Sequence, residues 1–206
     1  MKKIDTKGPR EIVAATTNQG KVREIRKALE GMGLEIRALT DFGAVPTVEE
    51  DGETFSENAL IKARFYSEHL GKTVVSDDSG LEVDVLGGMP GVWSARYAGE
   101  GATDEENNRK LIEALAGVPL SRRRARFRCS IALVSPDGRE AVTEGICAGR
   151  IGLRGVGRGG FGYDPLLFLP SAGKTVAQLT INEKNRVSHR GRALRKLRKV
   201  LGTFFD

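Results

Sequence analysis

The chain has 206 residues, 39% of them hydrophobic, with a formal net charge of +6 at pH 7. That size suits a single α/β domain over residues 1–206, and no apolar run approaches the length that spans a bilayer. Cys129 and Cys147 stand far from any histidine cluster, which argues against a disulfide framework or a zinc site and suits reduced thiols in a cytoplasmic protein.

Residues 1–10 read as a short basic extension without the apolar stretch of a secretory signal. Glu11 to Thr16 predicts a first strand, and Thr17-Asn18-Gln19-Gly20-Lys21 a tight loop. The spacing of Val22, Ile25 and Leu29 predicts a helix ending near Gly31 or Gly33, followed by a strand over 34–39. Thr54-Phe55-Ser56-Glu57 has the form of a capping box. It opens a helix with Phe55, Ala59, Ala63, Tyr66 and Leu70 on one side and Gly71 at its end. Thr73 to Ser76 reads as a strand leading into an acidic turn. A second capping box, Thr103 to Glu106, opens a helix with Leu111, Ile112 and Leu115 inward. Phe127–Val134 and Glu140–Ala148 predict strands joined by the hairpin connection Ser135-Pro136-Asp137-Gly138-Arg139. A glycine-rich segment covers 149–162, Leu166 to Pro170 suggests a short strand, and a last helix begins near Ser188, burying Leu194, Leu197 and Leu201.

Val74-Val75-Ser76-Asp77-Asp78-Ser79-Gly80-Leu81 is the most informative run. Adjacent carboxylates in a half-dry site are costly unless a cation neutralises them, and Mg²⁺ binds through one or two carboxylates plus phosphate and water. The plainer alternative is an Asp-Asp turn capping the next element. Thr16 to Lys21 offers a helix start and a lysine to an anion, although it lacks the common phosphate-loop pattern and also suits an ordinary Asn cap. Asn58 and Lys62 share a helix face, with Glu49 or Glu50 nearby as a metal ligand. Gly157 to Gly162 formally matches the dinucleotide fingerprint, yet no helix follows it, so that reading fails. A glycine loop carrying the aromatic Phe161 suits a flat ligand. Ser188 as a cap leaves His189 and Arg190 as donors at the start of the last helix.

The segments ATTNQGKVREI, ETFSENALIKA, SDDSGLEVDVLGGMPGVWSARYAG, GGFGYDPLLF and SHRGRAL occur in this order and span most of the chain. Together they resemble the inosine triphosphate pyrophosphatase family, with Trp93 standing where the family commonly has tyrosine. The resemblance implies an elongated mixed β-sheet flanked by helices, with two lobes around a central substrate cleft. It implies a cytoplasmic homodimer that uses Mg²⁺ to cleave ITP, XTP and their deoxy forms into a nucleoside monophosphate and pyrophosphate. This would cleanse the nucleotide pool of deaminated purines. By that likeness Thr16, Thr17, Asn18, Gln19, Gly20 and Lys21 form the triphosphate loop. Asp78 is proton acceptor and metal ligand, Glu49 is a further metal ligand, and Ser79, Phe161, Gly162, Tyr163, Asp164, Lys184, His189 and Arg190 contact substrate.

The residue chemistry runs the same way. Lys21 and Lys62 would hold charge developing on pyrophosphate, Phe161 would stack on the base, and His189 and Arg190 would donate to a 6-keto oxygen. Two rivals are a pyrophosphatase for modified pyrimidine nucleotides and a nucleic-acid-binding module using Arg122–Arg128 and the C-terminal basic cluster. The acidic run argues against the second, because carboxylates repel phosphate.

Overall fold

The computed structural model describes residues 10–205; apart from Arg10, the proposed extension lies outside the described residues. A seven-stranded mixed sheet has the order β2-β1-β3-β4-β5-β6-β7. Its strands are β1 (Arg10–Ala14), β2 (Leu34–Ala38), β3 (Val74–Val83), β4 (Arg124–Val134), β5 (Glu140–Ile151), β6 (Leu167–Leu169) and β7 (Lys174–Thr175). β1 pairs in parallel with both β2 and β3, whereas the steps from β3 to β7 are antiparallel. The helices are α1 (Gln19–Leu29), α2 (Phe55–Leu70), α3 (Asp104–Ala114), α4 (Ile181–Val187) and α5 (His189–Phe204).

Local chemistry sets most boundaries. Asn18 caps α1, accepting at its side chain from the N–H of Gly20 and Lys21, at 2.8 and 3.1 Å. The expected capping boxes open α2 and α3, with Thr54 and Thr103 each accepting from the glutamate N–H three residues on. Gly71 ends α2 in the left-handed conformation. Ser188 caps α5 by accepting from Gly191 N–H.

Three apolar clusters share the sheet. α1 and α5 pack Val22, Ile25, Leu194 and Leu197 against Ile12, Val75 and Ile131. α2 packs Ala59, Ala63 and Tyr66 on the opposite face, against Val13, Val74 and Ala132. The far ends of β3, β4 and β5 form a third cluster with Leu111 of α3, Leu115 at its C-terminal cap, and Tyr163, Leu166 and Leu167. The long central strands join the two regions, in line with an open mixed sheet flanked by helices.

Two expectations change. The acidic run is not a turn after a strand. β3 continues to Val83, pairing residue for residue with β4 over its whole length. Gly80 permits this, because a Cβ there would lie 2.6 Å from Gly91 O and 2.8 Å from the Phe55 ring. The segment 181–187, assigned to no helix from sequence, forms α4, announced by the capping box of Thr180 and Glu183.

Candidate active site

Chain direction brings the first group together. β1 connects through α1 to β2 on one side, while β3 lies on its other side, so the strand order reverses between β1 and β3. Ligands of open α/β sheets bind outside the carboxyl ends of strands at such a switch point. β1 ends at Ala14 but β3 runs on, and the loop Thr16 to Lys21 leaves the sheet beside Asp77 and Asp78. Within the loop Asn18 already satisfies two α1 amides, and Thr16 Oγ1 accepts from Asn18 N–H. The exposed Thr17 and Gln19 and the half-buried Lys21 carry its remaining anion-binding capacity.

The two carboxylates do not share one cation. Neighbours in a strand project to opposite faces, and these do. Asp77 points to the α1–α5 face, fully buried, where its Oδ2 accepts from Arg190 Nε at 3.1 Å and Nη2 at 2.9 Å and lies 3.2 Å from Lys21 Nζ. Burial alone would raise this carboxyl; Lys21 and Arg190 outweigh it and hold Asp77 well below the usual carboxylate range. Asp77 is therefore already neutralised by side chains.

Asp78 points to the α2 face. Its Oδ1 accepts from Ser79 N–H at 2.9 Å, and its Oδ2 is buried without a partner. Burial pushes this carboxyl up to about 6; Glu50 adds to the rise, while Lys62 and Lys21 oppose it. On α2, Lys62 Nζ meets Glu50 at 2.7 Å. Asn58 Oδ1 accepts from Gly52 N–H at 2.8 Å and so ties the acidic loop to the helix. Glu50 spends its charge on Lys62. Glu49 is exposed and lines a surface cavity of about 530 Å³ with Trp93 and Arg96.

The second group comes from the far half of the chain. Phe161 is 39% exposed, with Lys184 Nζ 4.6 Å and the Arg190 guanidinium 5.7 Å from its ring centre. Asp164 is buried and accepts from Lys184 Nζ at 2.7 Å and from Phe161 N–H at 3.0 Å. Gly162 follows in the same turn, and Tyr163 buries its ring while donating its hydroxyl to Ser94 O at 2.9 Å. His189 stacks on Phe127 at 4.8 Å, with Nδ1 buried and unpartnered. Burial, helped by Arg190 and Lys184, drives its pKa well below normal, so the imidazole is neutral.

Arg190 bridges the two groups. Besides Asp77, it donates to Glu24 at 2.8 Å and to Ser79 Oγ at 3.2 Å. No sequence motif singles out Glu24 or the clamp role of Asp77. An acidic residue one turn after Lys21 on α1 was the available signal. The structure thus brings Lys21, Ser79, Arg190, Phe161 and Lys184 into one chain of contacts, with Asp78 and Lys62 on the other face of β3.

Three arginines of the basic cluster 122–128 are engaged within the fold, while Arg122 and Arg124 are exposed. Arg123 is buried and donates to three backbone carbonyls, while Arg126 and Arg128 pair with Glu82, Asp84 and Glu144. This weakens the nucleic-acid reading. Among the described residues no helix is long and apolar enough to cross a membrane.

Comparison with known proteins shows the family. The sequence profile of the Ham1 family matches residues 12–200, nearly all of the described chain. The chain belongs to the Ham1 family. Ham1 relatives named dITP/XTP pyrophosphatase include one from Geobacillus kaustophilus, 51% identical over 91% of this chain and 92% of its own. Another, from Geobacter sulfurreducens, is 51% identical over 93% of this chain and 96% of its own. A Ham1 protein structure from Coxiella burnetii superposes with a TM-score of 0.87 at 42% identity, covering 94% of this chain and 98% of that one.

Proposed function

We propose that this Ham1-family chain is a nucleoside triphosphate pyrophosphohydrolase. It hydrolyses ITP, XTP and their deoxy forms to the monophosphate and pyrophosphate, and so keeps deaminated purines out of nucleic acid. The observation that carries this reading is Asp78, a desolvated carboxylate with one free buried oxygen, flanked by Lys62 and near Lys21. The relatives' names, dITP/XTP pyrophosphatase, support the dITP and XTP part of this reading.

The donor set suits Mg²⁺. Asp78 offers an unsatisfied hard oxygen, and Glu49 is an exposed carboxylate of the acidic loop that Lys62, paired with Glu50, does not occupy. Among the described residues no cluster of three or more acidic, histidine or cysteine ligands occurs. That fits a cation that takes most of its shell from phosphate and water. Mg²⁺ held by Asp78 and Glu49 would offset phosphate charge and lower the pKa of water. Asp78, whose carboxyl is pushed up to about 6 by burial in the metal-free protein, would accept a proton from an attacking water. Lys21 and Lys62 stabilise charge gathering on the departing pyrophosphate. The exposed face of Phe161 receives the base. His189 contributes the one buried nitrogen in this region without a partner, and as the Nδ1–H tautomer it donates to a 6-keto oxygen. Arg190 is engaged by Asp77, Glu24 and Ser79, so its first task is to orient this end of the site.

Pyrophosphate release from ITP, dITP, XTP, GTP and ATP, with and without Mg²⁺, tests the reading. Turnover of inosine and xanthosine nucleotides should far exceed that of ATP and require Mg²⁺; equal rates for all purines would refute it. His189→Ala should lower kcat/KM for ITP by about 1–3 kcal/mol while sparing ATP. A common fall in both rates would assign His189 to packing.

Lys21→Ala should weaken triphosphate binding by roughly 2–5 kcal/mol and leave monophosphate binding much less affected. Calorimetry with both ligands in metal-free buffer decides this, and equal losses would remove Lys21 from the phosphate chain.

A further inference from the structure

Helix α3 grips the loop that carries Phe161 through a single residue. Gly162 donates its N–H to Asp104 Oδ2 at 2.6 Å, and its carbonyl accepts from Asn108 Nδ2 at 3.0 Å. Asp104 and Asn108 are one helical turn apart, so one stripe of α3 meets both polar atoms of one glycine. Gly162 has φ +57°, a backbone state that favours glycine and that this pair of bonds holds in place.

The supports of α3 are firm. Leu111 and Leu115 are fully buried, and Asn107 accepts from Ala98 N–H at 2.7 Å while donating to Ala95 O at 3.1 Å. Around Gly162, Phe161 N–H is held by Asp164 and the Tyr163 hydroxyl by Ser94 O. The Phe161 amide and the two residues that follow it are thus tied by hydrogen bonds, while the Phe161 ring is 39% exposed. Neither Asp104 nor Asn108 bonds to Lys21, Asp78, Lys184 or Arg190.

We infer that Asp104 and Asn108 are positioning residues that fix the Phe161 ring as a platform for a flat, purine-like base. A platform ordered before the ligand arrives leaves less freedom to be lost on binding. This rests on the nucleotide reading above. Asp104 also sits in the first turn of α3, where its negative charge favours the helix whether or not it holds Gly162. The test must separate these two roles.

Amide exchange over residues 158–166 is compared between wild type and the Asp104→Ala/Asn108→Ala double variant. It is read beside calorimetric binding of inosine monophosphate and dITP hydrolysis with Mg²⁺. Exchange at Phe161 to Asp164 should accelerate, Kd for the monophosphate and KM for dITP should rise about tenfold, and kcat should stay within about twofold. Asp104→Asn keeps an acceptor for Gly162 N–H without the charge, so it should stay near wild type. Unchanged exchange overturns the clamp. Faster exchange with unchanged Kd and KM overturns the platform. Asp104→Asn behaving like Asp104→Ala assigns Asp104 to the helix dipole and overturns its positioning role. If the double variant does not fold, Asn108→Ala is judged by the same readouts. A wild type that turns over no purine triphosphate overturns the parent reading and this inference with it, whereas an active wild type with indifferent variants overturns this inference alone.

Discussion

Replacing Asp78 with asparagine should lower turnover by about 10²–10⁴-fold and at the same time make the metal-free protein more stable. Both effects come from one desolvated carboxylate. The change preserves shape but removes the proton acceptor and the negative charge offered to the metal. Because burial pushes the folded-state carboxyl up to about 6, the ionised form costs stability above that pH. The cost shrinks as pH falls through 6 and vanishes below the ordinary aspartate value. At pH 7.5 the variant should therefore gain up to about 2–3 kcal/mol, and near pH 4 almost nothing. Urea unfolding in EDTA at both pH values and kcat in Mg²⁺ check the two halves. Near-normal kcat in a folded variant would remove Asp78 from the chemistry. A loss of stability at pH 7.5 would mean the carboxylate is compensated in the free protein.

Asp77→Ala should do the opposite to stability, costing about 3–5 kcal/mol at neutral pH. The substitution leaves the buried Arg190 guanidinium with only Glu24 and Ser79, and frees Lys21 from its partner. The folded-state carboxyl of Asp77 lies well below its ordinary value, so its contribution is present above the ordinary aspartate pKa of about 4. It is lost as pH falls below that value toward the depressed one. The stability gap between wild type and variant should accordingly narrow in acid. Urea midpoints at pH 7 and pH 3 measure this, and a neutral-pH loss under about 1 kcal/mol would show that the clamp contributes little. Two adjacent aspartates thus have opposite expected signs, one costing stability for chemistry and the other holding cations in place.

Much of this protein was legible in one dimension because its signals are local. The caps at Thr54, Thr103 and Ser188 satisfy amides within three residues, and these three helices begin where expected. The hairpin at Ser135–Arg139 closes as read, with Ser135 N–H donating to Arg139 O at 3.0 Å. The segments around Asn18, Asp78, Phe161 and His189 pointed to the family from sequence alone, since each joins a backbone device to a chemical group.

The acidic run was misread for a physical reason. Asp-Asp-Ser-Gly has the composition of a turn, and its strand conformation comes from pairing with β4, beginning with Val74 opposite Val134, sixty residues away in the chain. Once that pairing forms, alternation sends Asp77 to the α5 face and Asp78 to the α2 face. Arg190, 113 residues from Asp77, then decides which carboxylate is neutralised by a buried guanidinium, while Asp78 on the other face has no direct cationic partner among the described residues. The grip of α3 on Gly162 is likewise a contact across 54 residues. Caps, periodicity and residue chemistry are set by near neighbours and were present in the sequence; the division of labour between two adjacent aspartates depends on strand register and desolvation, which exist only after the chain has folded.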